Sequence, residues 1–257
     1  MKPFYLLAFC IILTAACGPA PQPSLMEMEE WDLLWISDSS GWDVARVYAA
    51  MVAEDTGITI DLHDNWIGGL AAADVLRALQ GEETQSFTLA NLADEIREAE
   101  IIVFYANPEG SWRDDNPADW YCIGASGNYV NNCDMSTFDT YIADLEAIYQ
   151  LIFELRDGQP TIIRAYDAYT PRVVNWQADG CFDACHACWD NYNAAIRQAA
   201  ATYNIPVADV YAAWNGADGT LDPVERGYTK DNVHPNELGA RLIAEAVRAT
   251  GYDPVIP

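Results

Sequence analysis

The sequence predicts an α/β protein with a single doubly wound, mostly parallel five-stranded sheet and helices on both faces. Apolar segments of strand length alternate with amphipathic segments of helix length along the chain, and this alternation is typical of a parallel sheet. Hydrophobic residues make up 51% of the 257 residues, which is enough for a full core and excludes wholesale disorder. Two long loops each follow a predicted strand, as functional loops of such folds do.

The five strands are short apolar segments that we place at 32–36, 58–62, 101–106, 161–166 and 205–211. Apolar residues at helical spacing predict the helices between and after them, at 40–55, 70–79, 138–152, 189–203 and 236–250. The long loops at 107–136 and 170–188 follow the third and fourth strands. They are therefore expected at the carboxyl edge of the sheet, where ligands bind in open α/β folds.

The amino terminus has the pattern of an export signal. The apolar run at 4–13 is too short to span a bilayer, and small residues precede Cys17. We interpret residues 1–17 as a lipoprotein-type signal peptide, which predicts a lipid anchor at Cys17 in the cell envelope. An ordinary signal peptide, giving a secreted or periplasmic protein, is the alternative. Residues 18–30 are predicted to be a Pro-rich acidic tether, and residues 31–257 the folded domain.

The charge of the chain limits its partners. The sequence has 13 Lys and Arg against 39 Asp and Glu, a formal net charge of −26. This excess of acids argues against a nucleic-acid binder and against electrostatic attraction to an anionic membrane. We interpret it as a solubility feature, with an adaptation to salt as the alternative, and expect a monomer.

Five cysteines lie beyond the predicted signal peptide, at Cys122, Cys133, Cys181, Cys185 and Cys188. Disulfides are the default in an oxidising compartment. We predict a local Cys122–Cys133 disulfide, one pair among the last three cysteines, and one cysteine left over. A zinc site built from those three thiolates and His186 is the alternative.

Two segments carry residues suited to nucleophilic chemistry. Ser39 lies in the run 37–41, which follows the first strand and opens a helix, so its hydroxyl is expected at the sheet edge near a helix N-terminus. Asp231 and His234 lie three residues apart before the last helix, where the carboxylate can hold the Nδ1 proton and leave Nε2 as a base. Taken separately, each segment is better explained without catalysis, the first by a helix N-cap and the second by an ordinary turn.

Together, these segments resemble the SGNH hydrolases, also called GDSL-type lipases and esterases. The family's first block, GDS, corresponds to residues 37–39, and its last block, DxxHP, is intact at residues 231–235. The Gly of the second block corresponds to Gly69, with Gly68 as the alternative, and the Asn of the third block to Asn107. The resemblance covers residues 31–250 and implies a flavodoxin-like sheet.

Three residues depart from the family pattern. Ser37 replaces the Gly of the first block, Tyr105 the Gly of the third block, and Pro108 the Asp of the third block. Proline has no N–H to donate, so the loop after Asn107 must be built differently. The orientation of the Asn107 side chain is therefore left open.

The resemblance implies a serine esterase or acylhydrolase without metal or other cofactor. It implies a triad of Ser39, His234 and Asp231, and an oxyanion hole from the Ser39 N–H, the Gly69 N–H and the Asn107 amide. Substrates would be carboxylic esters of lipids, small alcohols or O-acetylated sugars. A peptidase or thioesterase would use the same residues, and a catalytically silent cell-surface binding protein on this fold is the alternative.

Aromatic residues in the long loops allow two interpretations. They form either a wall for an acyl chain or sugar ring, or anchors that hold the loops to the domain; they are Trp112, Trp120, Tyr121, Tyr129, Trp176 and Trp189. His63, at the end of the second predicted strand, is expected to be a loop histidine near the rim of the site.

Overall fold

The computed structural model of the protein describes residues 25, 28–82, 89–108 and 134–255. The predicted signal peptide, most of the tether, and the predicted Cys122–Cys133 disulfide lie outside these residues. So do the first four aromatic residues of the long loops. The domain boundaries at 17 and 30, the lipid anchor and the localisation therefore stay predictions.

The five strands form one sheet in which every neighbouring pair is parallel. In chain order they are β1 (Glu30–Ser37), β2 (Thr59–Trp66), β3 (Ile101–Phe104), β4 (Ile162–Tyr166) and β5 (Val207–Ala208). Their order across the sheet is β2-β1-β3-β4-β5, the flavodoxin-like order. The predicted doubly wound α/β fold is thus confirmed, and the loops after β1 and β3 lie side by side where the winding reverses.

Eight α-helices surround this sheet in the described residues. They are α1 (Val44–Thr56), α2 (Ala72–Leu79), α3 (Leu92–Glu98), α4 (Asp139–Arg156), α5 (Val173–Ala178), α6 (Phe182–Thr202), α7 (Val210–Asn215) and α8 (Glu237–Arg248). Helices α1 and α8 pack on each other, whereas α2, α3 and α6 pack against α4. Because the crossovers from β1 to β2 and from β3 to β4 run in opposite directions, right-handed connections place these two groups on opposite faces. None of the helices in the described ranges is long and apolar enough to cross a membrane.

The central strands explain where the core lies. Strands β3 and β4 are buried along their whole length, as is β1 from Leu33 to Ser37. Continuous apolar strands of this kind are typical of parallel sheets that are covered on both faces. Strand β2 lies at the edge and is largely part-exposed.

The observed strand bounds differ most from the predicted ones in β2 and β5. Strand β2 continues to Trp66 because it stays in register with β1 as far as the Ser37–Trp66 pair, so His63 lies inside the strand. The predicted fifth strand at 205–211 is paired only at Val207–Ala208. It stops there because the Asp209 side chain accepts a hydrogen bond from Ala212 N and caps α7.

The predicted loop at 170–188 is mostly helical, which corrects its interpretation. It contains α5 and the first two turns of α6. Four buried residues of α6 fall at helical spacing and pack inward, namely Cys185, Cys188, Trp189 and Tyr192. The cysteine-rich segment therefore belongs to the core-facing side of a helix.

Candidate active site

The serine segment makes a tight turn at the carboxyl end of β1. A short 3-10 helix at Ser39–Gly41 follows the strand, and the Asp38 side chain caps it by accepting a 2.7 Å hydrogen bond from Ser40 N. The N–H of Ser39 is the first of this helix and donates to no other group within the described ranges. It is therefore available to a bound oxygen atom.

Ser37, where the family has Gly, is accommodated by two hydrogen bonds and by Gly41. Its buried hydroxyl accepts from Trp35 Nε1 and donates to Asp38 O, both at 3.0 Å. A Cβ at Gly41 would lie 1.9 Å from Ser37 Oγ. The Ser37 side chain, which the family's Gly lacks, thus fits here because residue 41 is a glycine and has no Cβ.

The structure brings Ser39, His234 and Asp231 into one hydrogen-bonded line. His234 Nε2 lies 3.0 Å from Ser39 Oγ, and His234 Nδ1 lies 2.7 Å from Asp231 Oδ2. The other Asp231 oxygen, Oδ1, accepts from His234 N at 2.8 Å and from Val233 N at 3.1 Å. Burial alone would raise the pKa of Asp231, but these hydrogen bonds from His234 and Val233 outweigh it and lower the pKa to about 2. Asp231 is thus a carboxylate over the whole neutral range.

The loop that carries His234 is held at both ends. Asn236 caps α8 by accepting from Leu238 N and Gly239 N, and its amide donates to Gly227 O at 2.7 Å. On the other side, the Tyr169 hydroxyl donates to Val233 O at 2.8 Å. These contacts fix the loop against the end of β4, so His234 faces Ser39.

Asn107 is tied to the residue that precedes the serine. Its amide nitrogen donates to Asp38 Oδ2 at 2.8 Å and, more weakly, to Leu70 O at 3.3 Å. Its backbone N–H also donates to Leu70 O, at 2.8 Å, and its carbonyl accepts from Ala72 N at 2.7 Å. Gly69, with a φ of +66°, directly precedes Leu70, whose carbonyl accepts these two hydrogen bonds from Asn107.

Tyr105 settles the orientation that the sequence left open. Its hydroxyl donates to Asn107 Oδ1 at 3.1 Å and lies 2.8 Å from the Tyr192 hydroxyl. With the Asn107 oxygen held in this way, its NH₂ group turns towards Asp38. Burial raises the pKa of Asp38, while the hydrogen bonds from Ser40 and Asn107 lower it in part. The residue that replaces the family's Gly therefore positions Asn107.

A cavity opens beside these residues. Asp38, Ser39, Asn107 and His234 lie in its wall. The rest of the wall includes Tyr105 and three residues that the sequence did not single out, namely Tyr166, Tyr169 and Arg172. Only their position at or just after the end of strand β4 could have indicated these three.

The two aromatic residues of the second long loop have different places. Trp189 lines the cavity, as one interpretation of the loops requires. Trp176 is buried in the core, with its ring centroid 6.0 Å from that of Trp189. It therefore anchors the segment to the domain, which is the other interpretation. His63 does not line the cavity; its Nδ1 lies 3.9 Å from a carboxylate oxygen of Glu95.

The cysteines of α6 do not present a zinc site. Cys185 and Cys188 are each held in a disulfide bond, and Cys181 is the free cysteine in the described part of the chain. Which cysteines pair among the last three stays a prediction. Three thiolates are therefore not available beside His186, which stacks on Phe182 instead, with 5.2 Å between the ring centroids.

One group in the described ranges could hold a metal ion. It consists of Asp32, Asp61 and His63, whose ligand atoms lie within 4.8 Å of one another. Asp32 precedes the end of β1 at Ser37 by five residues, about 17 Å of extended strand. The group therefore lies well away from the cavity edge of the sheet.

No family model and no curated protein matches the chain, whereas solved structures match it. A lipase from a goat rumen metagenome, Lip_vut3, is 18% identical with a TM-score of 0.59, over 87% of this chain and 98% of that one. The acetylxylan esterase Axe2 from Geobacillus stearothermophilus is 20% identical with a TM-score of 0.57, over 87% and 95%.

A third structure, described as a GDSL-like lipase from Parabacteroides merdae, is 15% identical with a TM-score of 0.57, over 86% and 94%. At these identities the likeness concerns the fold. The chain has the fold of the SGNH hydrolases, and Ser39 and His234 lie in the wall of its cavity.

Proposed function

We propose that the protein is a serine esterase that hydrolyses carboxylic esters. The observation that carries the proposal is the line from Asp231 through His234 to Ser39, with contacts of 2.7 Å and 3.0 Å. A serine beside an imidazole that is itself oriented by a carboxylate is the arrangement of an activated nucleophile. The lipases and esterases that share the fold support the same reaction class.

In the proposed reaction, His234 Nε2 removes the Ser39 proton as Oγ attacks the ester carbonyl. The same proton then passes from His234 to the leaving alcohol, and an acyl-enzyme remains on Ser39. A water molecule, deprotonated by His234, releases the acid and regenerates the serine. Asp231 holds the Nδ1 proton throughout and stabilises the imidazolium.

The oxyanion is proposed to lie between the Ser39 N–H, the Gly69 N–H and the Asn107 amide. Asn107 already makes two hydrogen bonds through its NH₂ group, so one of them must be given up. We propose that the amide gives up its hydrogen bond to Leu70 O, because that bond, at 3.3 Å, is the weaker of the two. The freed N–H would then donate to the oxyanion. The bond to Asp38 then keeps the amide in place while the charge develops.

The cavity favours an ester with an apolar or ring-shaped part. Its aromatic side chains offer flat surfaces for an acyl chain or a sugar ring. Esters of lipids, small alcohols and O-acetylated sugars all meet this description, and the acetylxylan esterase among the similar folds supports the last.

The test is covalent labelling of residues 18–257 with a fluorophosphonate, alongside hydrolysis of 4-nitrophenyl acetate. We expect the label on Ser39, located by peptide mass spectrometry, and loss of both label and hydrolysis in Ser39→Ala. Ser136→Ala, which removes an exposed hydroxyl bonded to Asp134, is the matched control and should keep both. A folded protein that neither labels nor hydrolyses esters would instead favour the silent binding protein.

Tyr105→Phe is expected to lower kcat by about 5- to 30-fold, with little change in KM. It removes the hydrogen bond that orients Asn107, and a bond of this kind contributes about 1–2 kcal/mol. Steady-state kinetics on 4-nitrophenyl acetate measure the effect. Because Asn107 would stabilise only the transition state, kcat should fall while KM stays nearly unchanged.

Tyr149→Phe is the control for this substitution. Its hydroxyl is buried and has no hydrogen-bond partner among the described residues, so the same atom is removed without touching Asn107. Equal kinetics of Tyr105→Phe and the wild type would remove Tyr105 from the positioning role.

A further inference from the structure

Arg172 is a positive charge in the wall of the cavity that contains Ser39. It follows β4 and immediately precedes α5. Its side chain is only partly exposed. Within the described ranges, its guanidinium makes no ion pair and no hydrogen bond.

This lack of a partner is unusual in a chain with 39 acidic residues against 13 basic ones. Most other described cations are engaged by carboxylates, by backbone carbonyls or by aromatic rings, as with Arg77, Arg97, Arg156, Arg164, Arg197, Lys230 and Arg248. Arg241 also lacks an ion pair in the described ranges, but it is exposed on α8. Arg172 thus differs by lying unpaired in a cavity wall.

The carboxylates of the same cavity are engaged elsewhere. Asp167 accepts from Arg197 and, at 2.8 Å, from Tyr211 N. Asp38 accepts from Ser40 N and from the Asn107 amide. Neither satisfies Arg172, so its donors remain available to a molecule in the cavity.

A guanidinium that is partly removed from water without a partner carries a desolvation cost, which a bound anion would offset. Its planar set of donors matches a carboxylate, which it can bind through two parallel hydrogen bonds. Tyr169 and Trp189 line the same cavity, and aromatic side chains there would limit the access of water to such a pair.

We propose that Arg172 binds a carboxylate carried by the ester substrate. The substrates would then be esters with a free carboxylate on the acyl part or on the alcohol part. This inference rests on the proposed esterase function and adds a specificity-determining residue to it.

The first experiment compares charged and neutral esters of similar size. The pair 4-nitrophenyl hydrogen succinate and 4-nitrophenyl butyrate places the charge on the acyl part, and the pair 3-carboxyphenyl acetate and phenyl acetate places it on the alcohol part. In one pair we expect kcat/KM for the charged ester to fall about tenfold or more in Arg172→Gln, with the neutral ester nearly unchanged. Arg241→Gln removes the same charge outside the cavity and should behave as the wild type.

The second experiment measures binding without catalysis. Ser39→Ala and the double variant with Arg172→Gln are titrated with succinate, 3-hydroxybenzoate and the neutral phenol, followed by tryptophan fluorescence, because Trp189 lines the cavity. We expect Arg172→Gln to weaken binding of at least one carboxylate about tenfold and to leave phenol binding unchanged.

The outcomes separate this inference from the proposed function. Ester hydrolysis with the same charged-to-neutral ratio in the wild type and in Arg172→Gln would overturn the carboxylate site and leave the esterase in place. Absence of hydrolysis, together with Arg172-dependent carboxylate binding, would overturn the esterase and leave the anion site.

Discussion

Replacing His234 by alanine is expected to lower kcat for an ester substrate by a factor of about 10³ or more, with KM changed far less. His234 is the only base within hydrogen-bond distance of Ser39 Oγ in the described residues, and without it the hydroxyl must attack while still protonated. In a serine triad, loss of the base costs about as much as loss of the serine. Substrate contacts with the aromatic cavity wall remain in place.

Single-turnover and steady-state kinetics on 4-nitrophenyl acetate would measure this loss. His63→Ala is the matched control, because His63 lies on β2 and does not line the cavity. Asp231→Asn should give the next largest loss, about 10²- to 10⁴-fold, since the amide no longer holds the Nδ1 proton in place. More than a tenth of the activity remaining in a folded His234→Ala protein would contradict the role of His234 as base.

Gly41→Ala is expected to lower the free energy of unfolding by about 2–4 kcal/mol. A Cβ at this position would lie 1.9 Å from Ser37 Oγ and 2.6 Å from Trp35 Nε1, and both side chains are fully buried. The added methyl group must displace them and break the hydrogen bond between them. Overpacking and a lost buried hydrogen bond each cost about 1–3 kcal/mol.

Thermal unfolding of the variant should show a Tm about 5–15 °C below that of the wild type. The stability control is Gly68→Ala, where an added Cβ meets no atom within 4 Å and φ is not positive. An unchanged Tm in Gly41→Ala would show that the serine turn can relax without cost.

The sequence predicted the acid–base pair because that pair is local. Asp231 and His234 lie three residues apart, and a loop with this spacing brings a carboxylate to Nδ1 with little help from the rest of the fold. Ser39 was predictable for another reason, since the residue after a parallel strand must lie at the carboxyl edge of the sheet. The five strands were predictable from their apolar runs.

Contacts that depend on tertiary packing were not predictable in this way. One example is the hydrogen bond from Tyr105 to Asn107, just after β3. It depends on the orientation of the Tyr105 ring, which stacks on the buried ring of Tyr166. Arg172 could not be predicted from the sequence, because it stands out only through the lack of an ion-pair partner in the described residues. The start of α6 was missed because Gly180 and the cysteines before Trp189 resemble a loop in composition, although their apolar spacing is helical.

The two hydrogen bonds of the triad differ in how far apart their residues lie in the chain. The three hydrogen bonds between Asp231 and the His234 loop lie within four residues, so they move as one body with the start of α8. The 3.0 Å contact from His234 to Ser39 is different, since it spans 195 positions and depends on how Tyr169 and the Asn236 cap of α8 hold the His234 loop. A small displacement of that loop therefore changes one distance of the triad and leaves the other intact.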